Sequence, residues 1–258
     1  MNKIENLYDR YDEENRLLRT RESKIESQTT IKYLSPFMKK SKKVLEVGCG
    51  TGFYGLYFAD KIKSYEGVDI SPRNIKFFQK AIKENGSKNL SCRIGDALFL
   101  DEANETYDVV LNLGPLYHFS ENDAQRCIDE SVRVCKKGGI MAFSYMNKFG
   151  NFVKLCSQEA FVGRYPTKSL LDNMLKKNVD DEGLFFFTTP DKIEQSLKKR
   201  GLEVLHNLTT DGTTMHHHRI ADFRDDEFDL WLQFHLATCE EPSIRGMGDH
   251  GLIICKKI

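Results

Sequence analysis

Two rhythms of apolar residues alternate along the chain. Short runs rich in apolar residues fall at 44–47, 65–70, 90–94, 107–113 and 140–145, and each of the first four is followed by either a helical spacing or a polar turn. Runs of this length suit strands buried on both faces, whereas apolar positions returning every three or four residues suit amphipathic helices. The pattern predicts strand and helix in alternation from Lys43 onward, with helices over 53–61, from Ser71-Pro72 and from Ser120. Ile75, Phe78 and Ile82 share one helical face, as do Ala124, Ile128, Val132 and Cys135, with Gly138 expected to end that helix. Ser71 reads as an N-cap with proline at the first helical position, and Ser120-x-x-Asp123 resembles a capping box.

Five strands with intervening helices predict a parallel, doubly wound α/β sheet. Thr189-Pro190 starts a further helix that Gly201 stops; strand-like stretches follow at 202–209 and 252–255 and complete a Rossmann-like, mainly parallel sheet of seven strands. Three segments interrupt this rhythm. Residues 1–40 read as charged and helical, 147–188 as mixed and aromatic, and 212–250 as a second insertion. They are expected to form a lid over the carboxyl ends of the strands, where ligands bind in such sheets, with 41–258 as the main domain.

Composition narrows the function. The 258 residues carry 38 Lys plus Arg against 38 Asp plus Glu, so no single-sign field is available to hold a phosphate backbone, and a nucleic-acid partner is disfavoured. The start of the chain is too polar for a signal peptide and no apolar run reaches the eighteen or so residues of a membrane span, which makes a cytoplasmic protein the expectation. Seven scattered cysteines, none spaced C-x-x-C, argue against a disulfide framework and a zinc knuckle.

The candidate chemistry centres on "VLEVGCGTGFYG", residues 44–55. Gly50-Thr51-Gly52-Phe53-Tyr54-Gly55 matches the dinucleotide pattern G-x-G-x-x-G, with Asp69 about twenty residues on. That register would bury Glu46 and Gly48 deep in a parallel strand, against strand preference. Starting two residues earlier gives E-x-G-x-G-x-G. The strand then ends near Val47, and Gly48, Gly50 and Gly52 let the backbone turn tightly against a ligand.

With this loop, the sequence resembles the class I S-adenosylmethionine-dependent methyltransferases, over roughly 41–146 and again at 190–210 and 251–257. The resemblance implies S-adenosylmethionine as cofactor. Glu46, Gly48, Gly50 and Gly52 would pack against its methionyl part, and Asp69, with Ile70 beside it, would take the ribose hydroxyls. Asp96 and Ala97, in "IGDALFL", would hold the adenine. "LNLGPLYHF" would place Asn112 and Leu113 near the cofactor and Tyr117 and His118 toward the acceptor.

His118 is the candidate base because histidine titrates near neutral pH, with Tyr117 beside it; substrate orientation by His118 and packing by Tyr117 are the competing roles. The loop after the fourth strand lacks the N/D-P-P-Y/F clamp of nucleic-acid amino methyltransferases, which favours a small-molecule acceptor. Phe228, Trp231, Leu232 and His235 share a helical face. That spacing suits core packing, with Trp231 and His235 as candidate acceptor-contacting residues. Tyr8, Tyr11 and Arg19 could reach the cofactor carboxylate if the first helix folds down. His216-His217-His218 do not face one way in any regular element, and no metal is expected. A catalytically silent cofactor-binding regulator and an RNA or protein methyltransferase stand as alternatives; acceptor atom and oligomeric state stay open.

Overall fold

The computed structural model describes residues 16–157, 166–180, 183–214 and 220–258. Its sheet is built on β1 (Lys43–Val47), β2 (Ser64–Asp69), β3 (Leu90–Ile94), β4 (Tyr107–Asn112) and β5 (Cys135–Asn147), with β7 (Leu202–Thr209) and β8 (His250–Lys257) added at one side. The strand order is β3-β2-β1-β4-β5-β8-β7. All pairs are parallel except those of β8, which runs antiparallel to both β5 and β7. A two-residue β6 (Phe187–Thr188) pairs with the end of β5 as an eighth strand; so short an element leaves no period for the sequence to display.

Both faces of the sheet are covered, which is why β1 is apolar at successive positions. Val44 packs with Phe58, Tyr65 and Phe78 on one face, while Leu45 and Val47 pack with Ile128 and Phe143 on the other. Helices α1 (Arg21–Leu34), α2 (Phe53–Phe58) and α3 (Pro72–Asn85) supply the first face, and α4 (Glu121–Val134) the second. The expected caps form: the Ser71 and Ser120 side chains accept from the Asn74 and Asp123 backbone N–H groups. Gly138 ends no helix. The chain leaves α4 directly into β5, and Gly138, at φ +71°, lies within a strand whose pairing with β4 shifts register between Tyr107 and Val109.

Chain direction across the sheet reverses between β1 and β4, the switch point at which a doubly wound sheet opens a crevice. Beyond β5 the first insertion forms α5 (Lys148–Ser157), α6 (Lys168–Asp172) and a π-turn over Asn173–Lys177. Helix α7 (Pro190–Lys198) packs Ile193 and Leu197 into the second face, and α8 (Asp225–Thr238) belongs to the second insertion.

Candidate functional site

At the switch point the β1–α2 loop turns through three left-handed glycines, Gly48 at φ +71°, Gly50 at +53° and Gly52 at +86°. An L side chain is disfavoured at such angles. Neighbouring groups add a second constraint: a Cβ on Gly48 would lie 2.5 Å from the Pro115 ring, and one on Gly52 would lie 2.1 Å from the Phe78 ring. The loop is therefore closed between α3 on one side and the β4–α4 loop on the other.

Asp69, at the tip of β2, ties this loop to the next helix. Its Oδ2 accepts from the Gly50 N–H at 2.8 Å, and its Oδ1 accepts from the Ser71 N–H at 2.8 Å and the Asn74 amide at 3.3 Å. Burial raises the carboxyl pKa, against the lowering effect of these bonds. Glu46 lies deeper, with the Tyr65 hydroxyl donating to it. Burial pushes this carboxyl up to about 8 against the Tyr65 bond, and the Asp69 charge adds to the rise.

One cavity gathers most of the residues singled out in the sequence. Glu46, Gly48, Gly50, Asp69, Ile70, Asp96, Ala97, Leu113, Tyr117 and His118 all line it. Asp96 Oδ1 accepts from the Leu98 N–H at 2.8 Å, which fixes the carboxylate's orientation. The His118 and Phe185 rings are 5.3 Å apart. Burial lowers the His118 pKa to about 4, against a raising backbone hydrogen bond with Leu184. Such an imidazole is neutral at pH 7, so His118 is a weaker base than its sequence position suggests.

Five candidates are not brought to this cavity, among them Arg19, which is exposed just before α1. Asn112 points to the opposite side of β4, where its amide donates to Cys127 Sγ at 3.0 Å and Ser131 Oγ at 3.2 Å on α4; strand alternation turns Asn112 inward beside Val110. Gly52 shapes the loop without lining the cavity. Trp231 packs on Phe223 beside Phe228, Ile220 and Ile25. His235 is buried with its Nε2 3.0 Å from Thr29 Oγ1. Both therefore correct the acceptor-contact expectation in favour of helix packing between α8 and α1. Tyr8, Tyr11 and His216-His217-His218 lie outside the described residues.

The cavity also draws on residues the sequence did not single out. Arg16 and Leu17, just before α1, line it together with Asn74, Pro115 and Phe119. Asn74 had a visible signal in the Ser71-Pro72 helix start; Arg16 had none, since only the fold sets which turn of a charged segment meets the site. Among the described residues, Asp211, Asp249 and His250 bring three ligand-type atoms within 4.8 Å of one another. The Lys154 ammonium bonds to Asp249 there.

The cavity lies at the switch point of the doubly wound sheet, with Tyr117, His118 and Phe119 in its lining. The family model described as "Methyltransferase domain" matches residues 44–139. Norajmaline N-methyltransferase of Rauvolfia serpentina is 33% identical over 43% of this chain and 38% of its own length. Ubiquinone biosynthesis O-methyltransferase of Coxiella burnetii (strain Dugway 5J108-111) is 28% identical over 74% of this chain and 72% of its own. Among solved structures, magnesium protoporphyrin IX methyltransferase of Synechocystis PCC 6803, determined with bound SAH, superimposes with a TM-score of 0.59 at 13% identity, over 92% of this chain and 83% of that one. The chain spans less than half the length of the Rauvolfia enzyme. It carries a class I S-adenosylmethionine-dependent methyltransferase domain.

Proposed function

We propose that this chain transfers the methyl group of S-adenosylmethionine to a small, partly aromatic or apolar acceptor. One observation carries the reading: a single cavity joins the glycine loop, Asp69 and Asp96 to the Leu113–Tyr117–His118 end. The donor set suits the cofactor. Gly48 and Gly50 allow close backbone approach for a methionyl group, the Asp69 carboxylate suits a vicinal diol, and Asp96 suits an exocyclic amine.

The cofactor supplies a methyl group on a good leaving group, so the protein's task is alignment in a dry pocket. Tyr117 and Phe119 would press an apolar acceptor toward the loop, and the neutral His118 would orient it by hydrogen bonding. The relatives named above are small-molecule methyltransferases by name, in keeping with a formal charge of zero.

The test is incubation of the purified protein with methyl-labelled S-adenosylmethionine and a cell extract separated by size. Label in the small-metabolite fraction is expected. Label confined to RNA or protein would overturn the acceptor class, and binding of S-adenosylhomocysteine with no label transferred anywhere would favour a silent cofactor-binding regulator.

A further inference from the structure

The buried ionisable cluster beside the cavity has a direction to it. His250 opens β8 at the ligand end of the sheet, opposite Met146 of β5. Its Nδ1 lies 3.1 Å from Asp211 Oδ2, and the same carboxylate accepts from its backbone N–H, Oδ2 at 3.1 Å. A carboxylate on one ring nitrogen fixes the tautomer and turns the other nitrogen outward. Among the described residues Nε2 has no hydrogen-bond partner, and the ring centroid is 6.3 Å from that of Tyr117 on the cavity wall. A small adjoining cavity shares Arg16, Tyr54 and Leu113 with the main one and extends to Glu26 and Thr210; the Thr210 N–H donates to the His250 carbonyl at 3.0 Å.

We propose that His250, held by Asp211, is the general base that removes the acceptor's proton, and so that the acceptor atom is a protonated oxygen or nitrogen. This rests on the methyltransferase reading above. The proton passes to Nε2, the freed electron pair forms the bond to the methyl carbon, and the carbon–sulfur pair leaves with sulfur. Asp211 then stabilises the imidazolium. The arrangement follows nucleophile–base–carboxylate logic with the nucleophile on the substrate.

The surroundings suit a base that works near neutral pH. Burial lowers the His250 pKa, but Glu26, Asp211 and Asp249 together more than offset it, so the net direction is upward. Glu26 Oε2 is 4.0 Å from Nδ1 and is itself held by Arg16 at 3.2 Å. Asp249 is paired with Lys154 from α5, and the Tyr117 ring lies 6.3 Å from that of His250. By contrast, burial leaves His118 a neutral, weakly basic ring.

The deciding experiment follows label transfer from methyl-labelled S-adenosylmethionine into the small-metabolite fraction across pH for wild type, His250→Gln and Asp211→Asn, with S-adenosylhomocysteine affinity measured by calorimetry on each. Wild type should gain rate with pH through a midpoint above the ordinary histidine value of about 6.5. His250→Gln should lose about 10²- to 10⁴-fold in rate, lose that limb and keep cofactor affinity. Asp211→Asn should move the limb to lower pH. A folded His250→Gln protein with wild-type rate and limb would overturn the proposal while leaving methyl transfer intact; no transfer by wild type would overturn the parent reading and the base together. Should His250→Gln not fold, an unmoved limb in Asp211→Asn overturns the assignment.

Discussion

The Asp69 carboxylate and the Gly50 N–H are 2.8 Å apart, so the tip of β2 directly holds the glycine loop that follows β1. This bond makes Asp69 a shaper of the loop, and the proposed cofactor reading adds a second task, presenting oxygen to a diol. Asp69→Ala removes both. Its affinity for S-adenosylmethionine should fall by a charge-assisted hydrogen bond's worth or more, about 1.5–3 kcal/mol, measured by calorimetry. An unchanged affinity would place the cofactor elsewhere.

The three loop glycines should not respond alike to a methyl group. At Gly50 a Cβ meets nothing within 4 Å, so Gly50→Ala suffers only the left-handed φ, a cost of about 1–2 kcal/mol. At Gly52 the same φ penalty is joined by a clash with the buried Phe78 ring, and overpacking adds about 1–3 kcal/mol. Thermal melts should show Gly52→Ala clearly less stable than Gly50→Ala. Equal midpoints would mean that α3 yields freely.

Much of this site was legible because its signals are local. Asp69 ends a strand, the glycine loop and Asp96 come just after one, and a strand's end fixes where the next few residues go. Asn112 illustrates the limit: a shift of one residue in a strand exchanges faces, so Leu113 lines the cavity and Asn112 bonds to α4. His235 and Trp231 show another. Their helical face was correctly read as apolar, but only tertiary structure decides that it meets α1 rather than the cavity. The Asp211–His250 pair is separated by 39 residues and belongs to no motif, so nothing in the linear pattern joins it.

Glu46 makes the folded protein prefer a proton. Its carboxyl titrates near 8 when folded and near 4.3 in an unfolded chain. Between those values the folded state binds more protons than the unfolded one, so stability falls as pH rises through the window and levels off above it. The slope for one full proton is about 1.4 kcal/mol per pH unit. Burial raises Asp69 in the same direction, so the informative quantity is the difference between wild type and Glu46→Gln. Urea melts from pH 5 to 9 should show a shallower decline in the variant, and parallel curves would mean Glu46 is ionised in its buried setting.

His235 offers a control on the site boundary. Its Nε2 meets the fully buried Thr29 hydroxyl at 3.0 Å, and burial lowers its pKa to about 4, against the raising effect of Asp211. The ring therefore links α8 to α1 as a neutral group. His235→Ala opens a gap and strands the Thr29 hydroxyl, a loss of about 1–3 kcal/mol in stability. Cofactor affinity should not change, because neither residue lines the cavity. A lower melting midpoint with unaltered S-adenosylhomocysteine binding is the expected pair of results; a weakened cofactor with an unaltered midpoint would return His235 to the site.

His118 and Tyr117 both line the cavity, with their rings 4.7 Å apart. Because burial holds the His118 pKa near 4, its charge does not change between pH 6 and 9, and it contributes no limb to a rate profile in that range. Its expected role is orientation, by hydrogen bonding and ring contact. The double variant His118→Ala with Tyr117→Phe should therefore lower label transfer at every pH by a similar factor, leave the profile's midpoint in place and bind S-adenosylhomocysteine as wild type does. Loss of the midpoint in this variant would make His118 the titrating group and give the proton-transfer role back to the β4–α4 loop.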